Sequence, residues 1–351
     1  MKPYLYLFFF CLLLISCEDK NEVEQQDNSY QGWKKYYKEG NFETYFYVNS
    51  VVVDVSNNIL FSAFIRRNNF TIDSTWIFKI NENNISSIDT TNLITGYKYY
   101  KLEKKDGTKE IKLNSDLMFV YDKNENSLFK WQINDLKNKR HSSRSQTDKK
   151  GNIWLATENY YGTLDGIHEF DGSVWTSFFV GNDFWGICFD QQGNLYTSTL
   201  PDFNKPGVIM RYDYSKWDTI FTCSGKDKWI PCMHFDSDNN LWFGVLWRMA
   251  VAPDSGDGLF KYDGKTITNY SIYNSSLPSN SVIDIAIDNK NNKWIATYSG
   301  GLIKLAYDNV WKVFDTTNAP MTYNSIEHVI IDNDQNIYLA VQGYGLMRFK
   351  E

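Results

Sequence analysis

Short apolar runs alternate with clusters of Gly, Asn and Asp along the chain, and residues 282–315 show the pattern clearly. Four runs make up this unit: VIDIAID (282–288), NKWIATYS (292–299), GLIKLAYDN (301–309) and VWKVFD (310–315). They are rich in β-branched and aromatic residues and have no helical periodicity, so each predicts a strand. The last run predicts an outer strand with Trp311 and Phe314 on one face.

The turn between the first two runs recurs throughout the sequence. An Asp opens each copy, an Asn stands four residues later, and a large side chain follows two residues after the Asn. The full copies open at Asp54, Asp148, Asp190, Asp236, Asp288 and Asp332. A degenerate copy opens at Asp106, and successive copies lie 42 to 52 residues apart. A four-stranded unit repeated at this period predicts a β-propeller, and seven copies predict seven blades.

The two ends of the chain complement each other. The last unit stops at Glu351 after three strands, while GWKKYYKEGN (32–41) resembles the outer strand VWKVFD. We therefore expect an all-β, seven-bladed propeller over residues 31–351, in which the N-terminal strand completes the C-terminal blade and protects its edge.

The N-terminus predicts a lipoprotein. One Lys precedes an apolar run that is too short to span a bilayer comfortably, as in a secretory signal. The run ends in Leu-Ile-Ser-Cys, which resembles the bacterial lipobox, so we expect a signal peptide over 1–16 and lipid attachment to Cys17. Residues 17–30 form an acidic tether that resembles the lipoprotein export signals of the Bacteroidetes. The resemblance implies an anchor in the outer membrane, facing the periplasm or the surface.

Composition narrows the possible partners. The chain is 42% hydrophobic and 17% aromatic, with a formal net charge of -6 and no long basic run. A nucleic-acid partner is not expected, since phosphate binding needs a cationic face. Cys188, Cys223 and Cys232 remain after the signal and the lipid site. The sequence leaves open whether Cys223 and Cys232 pair or whether all three are buried thiols.

The phrase Asp-x-x-Gly-Asn-hydrophobic-Trp, followed by Gly-Leu-x-x-(Phe/Tyr)-Asp-Gly, resembles the two-component regulator propeller repeat. The match is good over 148–350 and poor over 43–147. In that family such blades form periplasmic sensor domains of hybrid histidine kinases. This sequence shows no later transmembrane helix and no kinase or DNA-binding segment. The resemblance therefore implies a binding role without phosphotransfer.

The repeated phrase allows two interpretations. Asp236-x-Asp238-x-Asn240 imitates the start of a calcium loop, as does the copy at Asp332. Other copies have Lys or Gln at the middle position, and no bidentate Glu follows at the required spacing. An Asx-type turn, in which the Asn side chain bonds the local backbone, is the expected structure. We expect no cofactor, with calcium as the alternative.

Most candidate binding residues lie in irregular loops on the face of the predicted propeller opposite to the Asp/Asn turns. Binding residues are often found on loops that a rigid scaffold holds in place. Aromatic rings with a few polar groups suit a glycan or a protein partner. The candidates in these loops and in later blades are Tyr160, Tyr161, Trp185, Trp229, Trp247, Arg248, Tyr298 and Tyr344, and His234 on a predicted inner strand is a further candidate. The alternative for each ring is that it packs a loop onto a blade.

Catalytic residues are not expected. Glu327 and His328 lie on one predicted inner strand and His234 lies on another. Seven-bladed lyases of the virginiamycin B lyase type use His and Glu at such positions with a metal. This chain lacks that arrangement, because its candidates are two blades apart. Neighbours on a regular strand face opposite ways, so Glu327 and His328 are not expected to share the channel. The sequence predicts a lipid-anchored recognition module. A propeller lyase or hydrolase and a scaffold in a surface complex are the alternatives.

Overall fold

The structure is a computed structural model, and its described residues form β-strands and turns without a helix. It describes residues 32–36, 44–53, 59–67, 72–81, 84–87, 99–103, 109–113, 119–121, 127–130, 143–157, 166–171, 175–179, 182–201, 205–247, 255–342 and 345–351. The predicted all-β class is confirmed.

The first strand, β1 (Trp33–Tyr36), belongs to a sheet whose other strands come from the C-terminal end of the chain. Sheet I follows, with strands β2 (Thr44–Val53), β3 (Ile59–Arg67), β4 (Ile72–Asn81) and β5 (Asn84–Ser87). Sheet II contains β6 (Tyr99–Glu103), β7 (Lys109–Leu113), β8 (Phe119–Tyr121) and β9 (Ser127–Lys130). Sheet III contains β10 (Ser143–Thr147), β11 (Ile153–Thr157), β12 (Gly166–Phe170) and β13 (Trp175–Phe178).

The C-terminal half of the chain repeats this order. Sheet IV contains β14 (Phe184–Phe189), β15 (Leu195–Thr199), β16 (Val208–Tyr212) and β17 (Trp217–Thr222). Sheet V contains β18 (Lys228–Trp229), β19 (Met233–Phe235), β20 (Leu241–Trp247), β21 (Gly256–Tyr262) and β22 (Ile267–Tyr270). Sheet VI contains β23 (Val282–Ile287), β24 (Lys293–Thr297), β25 (Leu302–Leu305) and β26 (Trp311–Phe314). Sheet VII contains β27 (Ile326–Ile331), β28 (Ile337–Val341), β29 (Gly345–Phe349) and β1.

All described strand pairs are antiparallel, and consecutive strands are neighbours within each sheet, except that β18 and β19 both pair with β20. The first strands of neighbouring sheets lie beside one another: β10 contacts β14, β14 contacts β19, β19 contacts β23, β23 contacts β27 and β27 contacts β2. Sheets III to VII and sheet I therefore follow one another around a shared inner row of strands, which is the arrangement of propeller blades.

Each sheet has two ends. The Asp/Asn turns join first to second strands at one end, which we call the turn end, and Asp288 between β23 and β24 is an example. The other end, which we call the loop end, carries the connections from second to third strands and from each sheet to the next. Residues 271–281, between β22 and β23, form one of these connections.

The N-terminal strand completes the C-terminal sheet, as the sequence predicts. Trp33 of β1 pairs with Phe349 of β29, and the register continues to Tyr36 opposite Leu346. Trp33 is buried, and its ring lies 4.7 Å from that of Phe349 and 6.0 Å from that of Phe314. This packing closes the outer edge of sheet VII and joins it to sheet VI.

The core consists of apolar side chains between neighbouring sheets. The large residue of the repeated phrase lies in this core, and Trp154, Trp242 and Trp294 are each at most 3% exposed. One expectation is wrong: Trp311 packs with the cluster around Ile285, whereas Phe314 packs with the cluster around Trp294. The two lie on opposite faces of β26 because they are an odd number of residues apart.

A β-bulge interrupts the first strand near the loop end in several sheets. The extra residue is Trp185 in β14, Ile283 in β23 and Glu327 in β27. In sheet V the first strand is divided at the same level into β18 and β19, with Pro231 between them. Bulges redirect side chains locally, so the inner strands do not alternate strictly at this level.

Candidate functional site

The repeated phrase forms a turn that the Asp side chain organises. In the copies at 148, 190, 236, 288 and 332, Oδ1 of the Asp accepts the backbone N–H of the Asn four residues later at 2.7–2.9 Å. In sheet V the indole N–H of Trp242 donates to Oδ2 of Asp236 at 2.8 Å. The expected role of the Asn side chain is corrected, because the carboxylate accepts the local N–H groups.

Neighbouring turns are joined by amide side chains. The backbone N–H of Ser237 donates to Oδ1 of Asn291 (3.1 Å), and that of Asn289 donates to Oε1 of Gln335 (2.9 Å). The backbone N–H of Gln191 donates in the same way to Asn239 (2.8 Å). Each accepting residue has φ of 62–63°, a conformation that Asn tolerates better than most residues. The turn end is therefore a chain of hydrogen bonds between sheets.

Lys293 also joins two neighbouring sheets, through a charged contact within the core. Equivalent positions of the other turns hold Ile153, Leu195, Leu241 and Ile337. Nζ of Lys293 lies 3.1 Å from Oδ2 of Asp236 in the preceding sheet, and the two side chains are 5% and 1% exposed. This pair was not predicted from the sequence, although a Lys at a position that is aliphatic in the other turns is a visible signal. It is a buried ion pair between sheets V and VI.

Two of the predicted tryptophans pack together at the loop end, where sheets IV and V meet, and a third lies near them. Trp185 and Trp229 pack edge to face with ring centroids 4.7 Å apart, and the indole N–H of Trp185 donates to the carbonyl of Pro231 at 2.9 Å. The bulge directs Trp185 towards sheet V, where it satisfies a carbonyl at the break between β18 and β19. Trp247 ends β20 in the same sheet and is 50% exposed. Its ring stands on the opposite face of the sheet from that of Trp229, because Trp229 pairs with Leu246, the neighbour of Trp247. We call Trp185, Trp229 and Trp247 the tryptophan group.

Polar residues that the sequence did not single out lie beside Trp247. Lys228 is directly opposite Trp247 across β18 and β20, so both side chains stand on one face of the sheet. Nζ of Lys228 lies 2.6 Å from Oδ1 of Asp257, and Oγ of Ser224 donates to Oδ2 of Asp257 at 3.1 Å. The tryptophan group thus combines a half-exposed ring with a partly exposed ion pair.

The remaining predicted residues are scattered. Tyr298 lies at the loop end of sheet VI, where its backbone N–H donates to the carbonyl of Ser281 at 3.0 Å. His234 pairs with Trp242 in the ladder, two residues before the turn at Asp236, and is partly exposed. It is therefore nearer the turn end than the tryptophan group is. Outside the described residues lie Cys17, Tyr160, Tyr161, Arg248 and Tyr344.

A second polar pair lies on the inner strands at the level of the bulges. Nδ1 of His328 is 3.4 Å from Oδ2 of Asp284, which also accepts the backbone N–H of Val329 at 3.2 Å. Glu327 is the bulge residue beside His328, and both are partly exposed. The alternation argument against Glu327 and His328 sharing one side therefore does not hold, because the strand is irregular there.

The three cysteines are buried free thiols. Burial raises the pKa of Cys223 to about 12, with a further contribution from the charge of Asp257. Burial likewise raises the pKa of Cys188 far above its usual range. Thiols in such surroundings are unreactive. Among the described residues, no group of three or more His, Cys, Asp or Glu could hold a metal ion, and no helix could cross a membrane.

Several solved structures resemble the fold. PorZ, an essential surface component of the type-IX secretion system of Porphyromonas gingivalis, is 16% identical, matches 83% of this chain and 45% of its own, and has a TM-score of 0.57. YCF48 from Cyanidioschyzon merolae is 11% identical over 91% of this chain and 98% of its own, also at 0.57. YCF48 with a bound D1 peptide is 12% identical over 92% of this chain and 98% of its own, at 0.53.

The extracellular domain of BT3049, a putative hybrid two-component system of B. thetaiotaomicron, is a looser match. It is 19% identical over 90% of this chain and 45% of its own, with a TM-score of 0.43. The chain spans less than half the length of PorZ and of BT3049. No protein-family model and no curated protein matches the chain. At these identities the likeness to PorZ and YCF48 shows the fold: a β-propeller.

Proposed function

We propose that this protein is a lipid-anchored recognition module of the cell envelope, built as a closed seven-bladed propeller. The strands described here group into seven sheets, and the N-terminal strand completes the last one. The lipobox ending in Cys17 supports an outer-membrane anchor. The Asp/Asn turns are structural and need no calcium, which is supported by the N–H donors around Asp236.

The observation that carries a binding role is the exposure of Trp247. The tryptophans of the repeated phrase are buried between sheets, whereas Trp247 is half exposed next to a partly exposed ion pair. A large exposed ring with polar groups beside it suits the stacking and hydrogen bonding of a sugar ring. A glycan is therefore the proposed ligand, bound at the tryptophan group. The ligand would contact Trp247 and the ion pair beside it, since the indole N–H of Trp185 is committed to Pro231.

Tryptophan fluorescence of the full chain, titrated with a panel of oligosaccharides, tests this function. We expect a saturable response to at least one glycan, and Trp247→Ala should remove it. Trp311→Phe, at the turn end, is the matched control and should keep the response. No response across a broad panel, or a response that survives Trp247→Ala, would contradict glycan binding at this site.

Peptides belong in the same assay, because a propeller of similar fold, YCF48, has been solved with a peptide bound. If a peptide gives a saturable response and no glycan does, the partner is a protein. A stable partner that co-purifies from membranes would support the scaffold role.

An enzyme that uses the central channel is the second candidate, and the contact between Asp284 and His328 favours it. A carboxylate that orients a His is a common acid–base arrangement. Turnover of a bound glycan that His328→Ala abolishes, while Trp247→Ala only weakens binding, would establish that alternative.

A further inference from the structure

The point at which the chain enters the fold is at the turn end. β1 is the outer strand of sheet VII, and its first residue, Trp33, pairs with Phe349. Phe349 in turn pairs with Ile337, which directly follows Asn336 of the last Asp/Asn turn. Trp33 is therefore level with the turn, and β1 begins at this end.

Gly32 and Trp33 hold this entry point in place. The backbone N–H of Lys350 donates to the carbonyl of Gly32 at 2.9 Å. Gly32 has φ of 86°, and a Cβ there would clash with the carbonyl oxygen of Lys350, so another residue would not fit without a shift. Trp33 is 5% exposed and packs against two aromatic rings.

We propose that the turn end faces the lipid bilayer and that the loop end, with the tryptophan group, faces away from it. This orientation rests on the lipidation of Cys17 proposed above. Cys17 precedes Gly32 by 15 residues, a distance of at most about 50 Å even for a fully extended chain. The loop end lies a further ~20 Å away, the length of a six-residue strand such as β23. To bring the loop end to the membrane, the tether would have to run along the outside of a sheet.

The two ends also differ in their exposed side chains. Exposed residues of the turn end mix charges of both signs, such as Lys149, Lys290 and Asp238, with amides and with one exposed ring, Tyr307 (61%). The loop end exposes aromatic rings, of which Trp247 is 50%, Tyr273 87% and Tyr323 56% exposed. Exposed aromatics also suit a membrane interface, so insertion of the loop end is the competing orientation. The fixed entry point favours the turn end.

Energy transfer on vesicles distinguishes these orientations. The acylated full chain is purified from bacterial membranes and reconstituted into phosphatidylcholine vesicles that carry an acceptor dye on a headgroup. A donor dye is placed at Lys290→Cys or at Tyr273→Cys, two exposed positions on either side of β23. The native thiols that the structure describes, Cys188, Cys223 and Cys232, are buried and will not compete for the label. We expect about twofold or more transfer from position 290, because the labels differ in height by about 20 Å.

Flotation with the vesicles tests the anchor separately. A chain that does not float, or a Cys17→Ala variant that still floats, would overturn both the anchor and the orientation. A chain that floats but gives equal transfer from the two positions, or more from position 273, would overturn the orientation alone. An anchored chain with stronger transfer from position 290 supports it, whatever ligand the tryptophan group binds.

Discussion

Asp236 and Lys293 provide a stringent test of how the sheets are held together. Oδ1 of Asp236 accepts the backbone N–H groups of Asp238 and Asn240, and Oδ2 accepts from Trp242 and Lys293. Lys293 has fewer alternatives: its Nζ also donates to the carbonyl of Asn291 at 2.8 Å and lies 5.0 Å from the Trp242 ring. Loss of the carboxylate would therefore leave Lys293 with one hydrogen-bond acceptor, whereas loss of the lysine would leave Asp236 with most of its donors.

Asp236→Asn should destabilise the fold by about 3–5 kcal/mol, because it leaves a buried cation without its partner. Asp288→Asn is the matched control, since Asp288 makes the same turn contacts without a lysine. There the loss should be about 1–3 kcal/mol, the cost of unmade hydrogen bonds. Adding Lys293→Leu to Asp236→Asn removes the unpaired charge and places at position 293 the residue type found at the equivalent position 241. It should restore about 2 kcal/mol, within the range for coupled neighbours.

Urea unfolding of the full chain, followed by circular dichroism, measures these free energies. Equal destabilisation by Asp236→Asn and Asp288→Asn would refute the claim that the ion pair stabilises the contact between sheets V and VI. So would a double variant that is less stable than Asp236→Asn alone. A larger effect at Asp236 together with rescue by leucine would support it.

Three smaller predictions follow from the same structure. Burial alone would raise the pKa of Asp236, but the donors around it hold the pKa below its ordinary value of about 3.9. Its contribution is then complete above about pH 4 and is lost as the pH falls through the lower folded-state value, so Asp236→Asn should flatten the acid side of a stability profile. Asn291→Gly keeps the backbone conformation but removes the bonds to the backbone N–H of Ser237 and to the carboxylate of Asp238, and should lower the free energy of unfolding, measured in urea, by about 1–3 kcal/mol. Gly32→Ala should lower the melting temperature more than Gly151→Ala, because both have positive φ but only Gly32 would clash with backbone; equal losses would contradict that.

The pattern of the chain predicted much of the fold. The repeat of Asp, Asn and an aromatic residue placed the turns correctly, and the missing outer strand predicted that the N-terminal strand completes the last sheet, where Trp33 pairs with Phe349. Both features are local, since each depends on a short stretch whose residue types favour a turn or a strand. The error over Trp311 and Phe314 came from ignoring the two-residue period.

The candidate site was predicted only in part. The tryptophans could be singled out by type, but Lys228 and Asp257, which form the ion pair next to them, could not. They are 29 residues apart in the chain and meet because β18 and β21 flank the same strand. The sequence also did not show that Trp247 is half exposed, whereas the indole N–H of Trp185 donates to a carbonyl of the next sheet.

The sequence by itself determined the repeating unit, its turns and the strand that completes the last sheet, because these follow from local residue preferences and a regular period. The tertiary structure alone decided which tryptophan is exposed, that Lys293 reaches a carboxylate of the preceding sheet, and that the chain enters at the turn end. Those properties arise where neighbouring sheets meet, and they depend on side-chain packing between segments that are far apart in the chain.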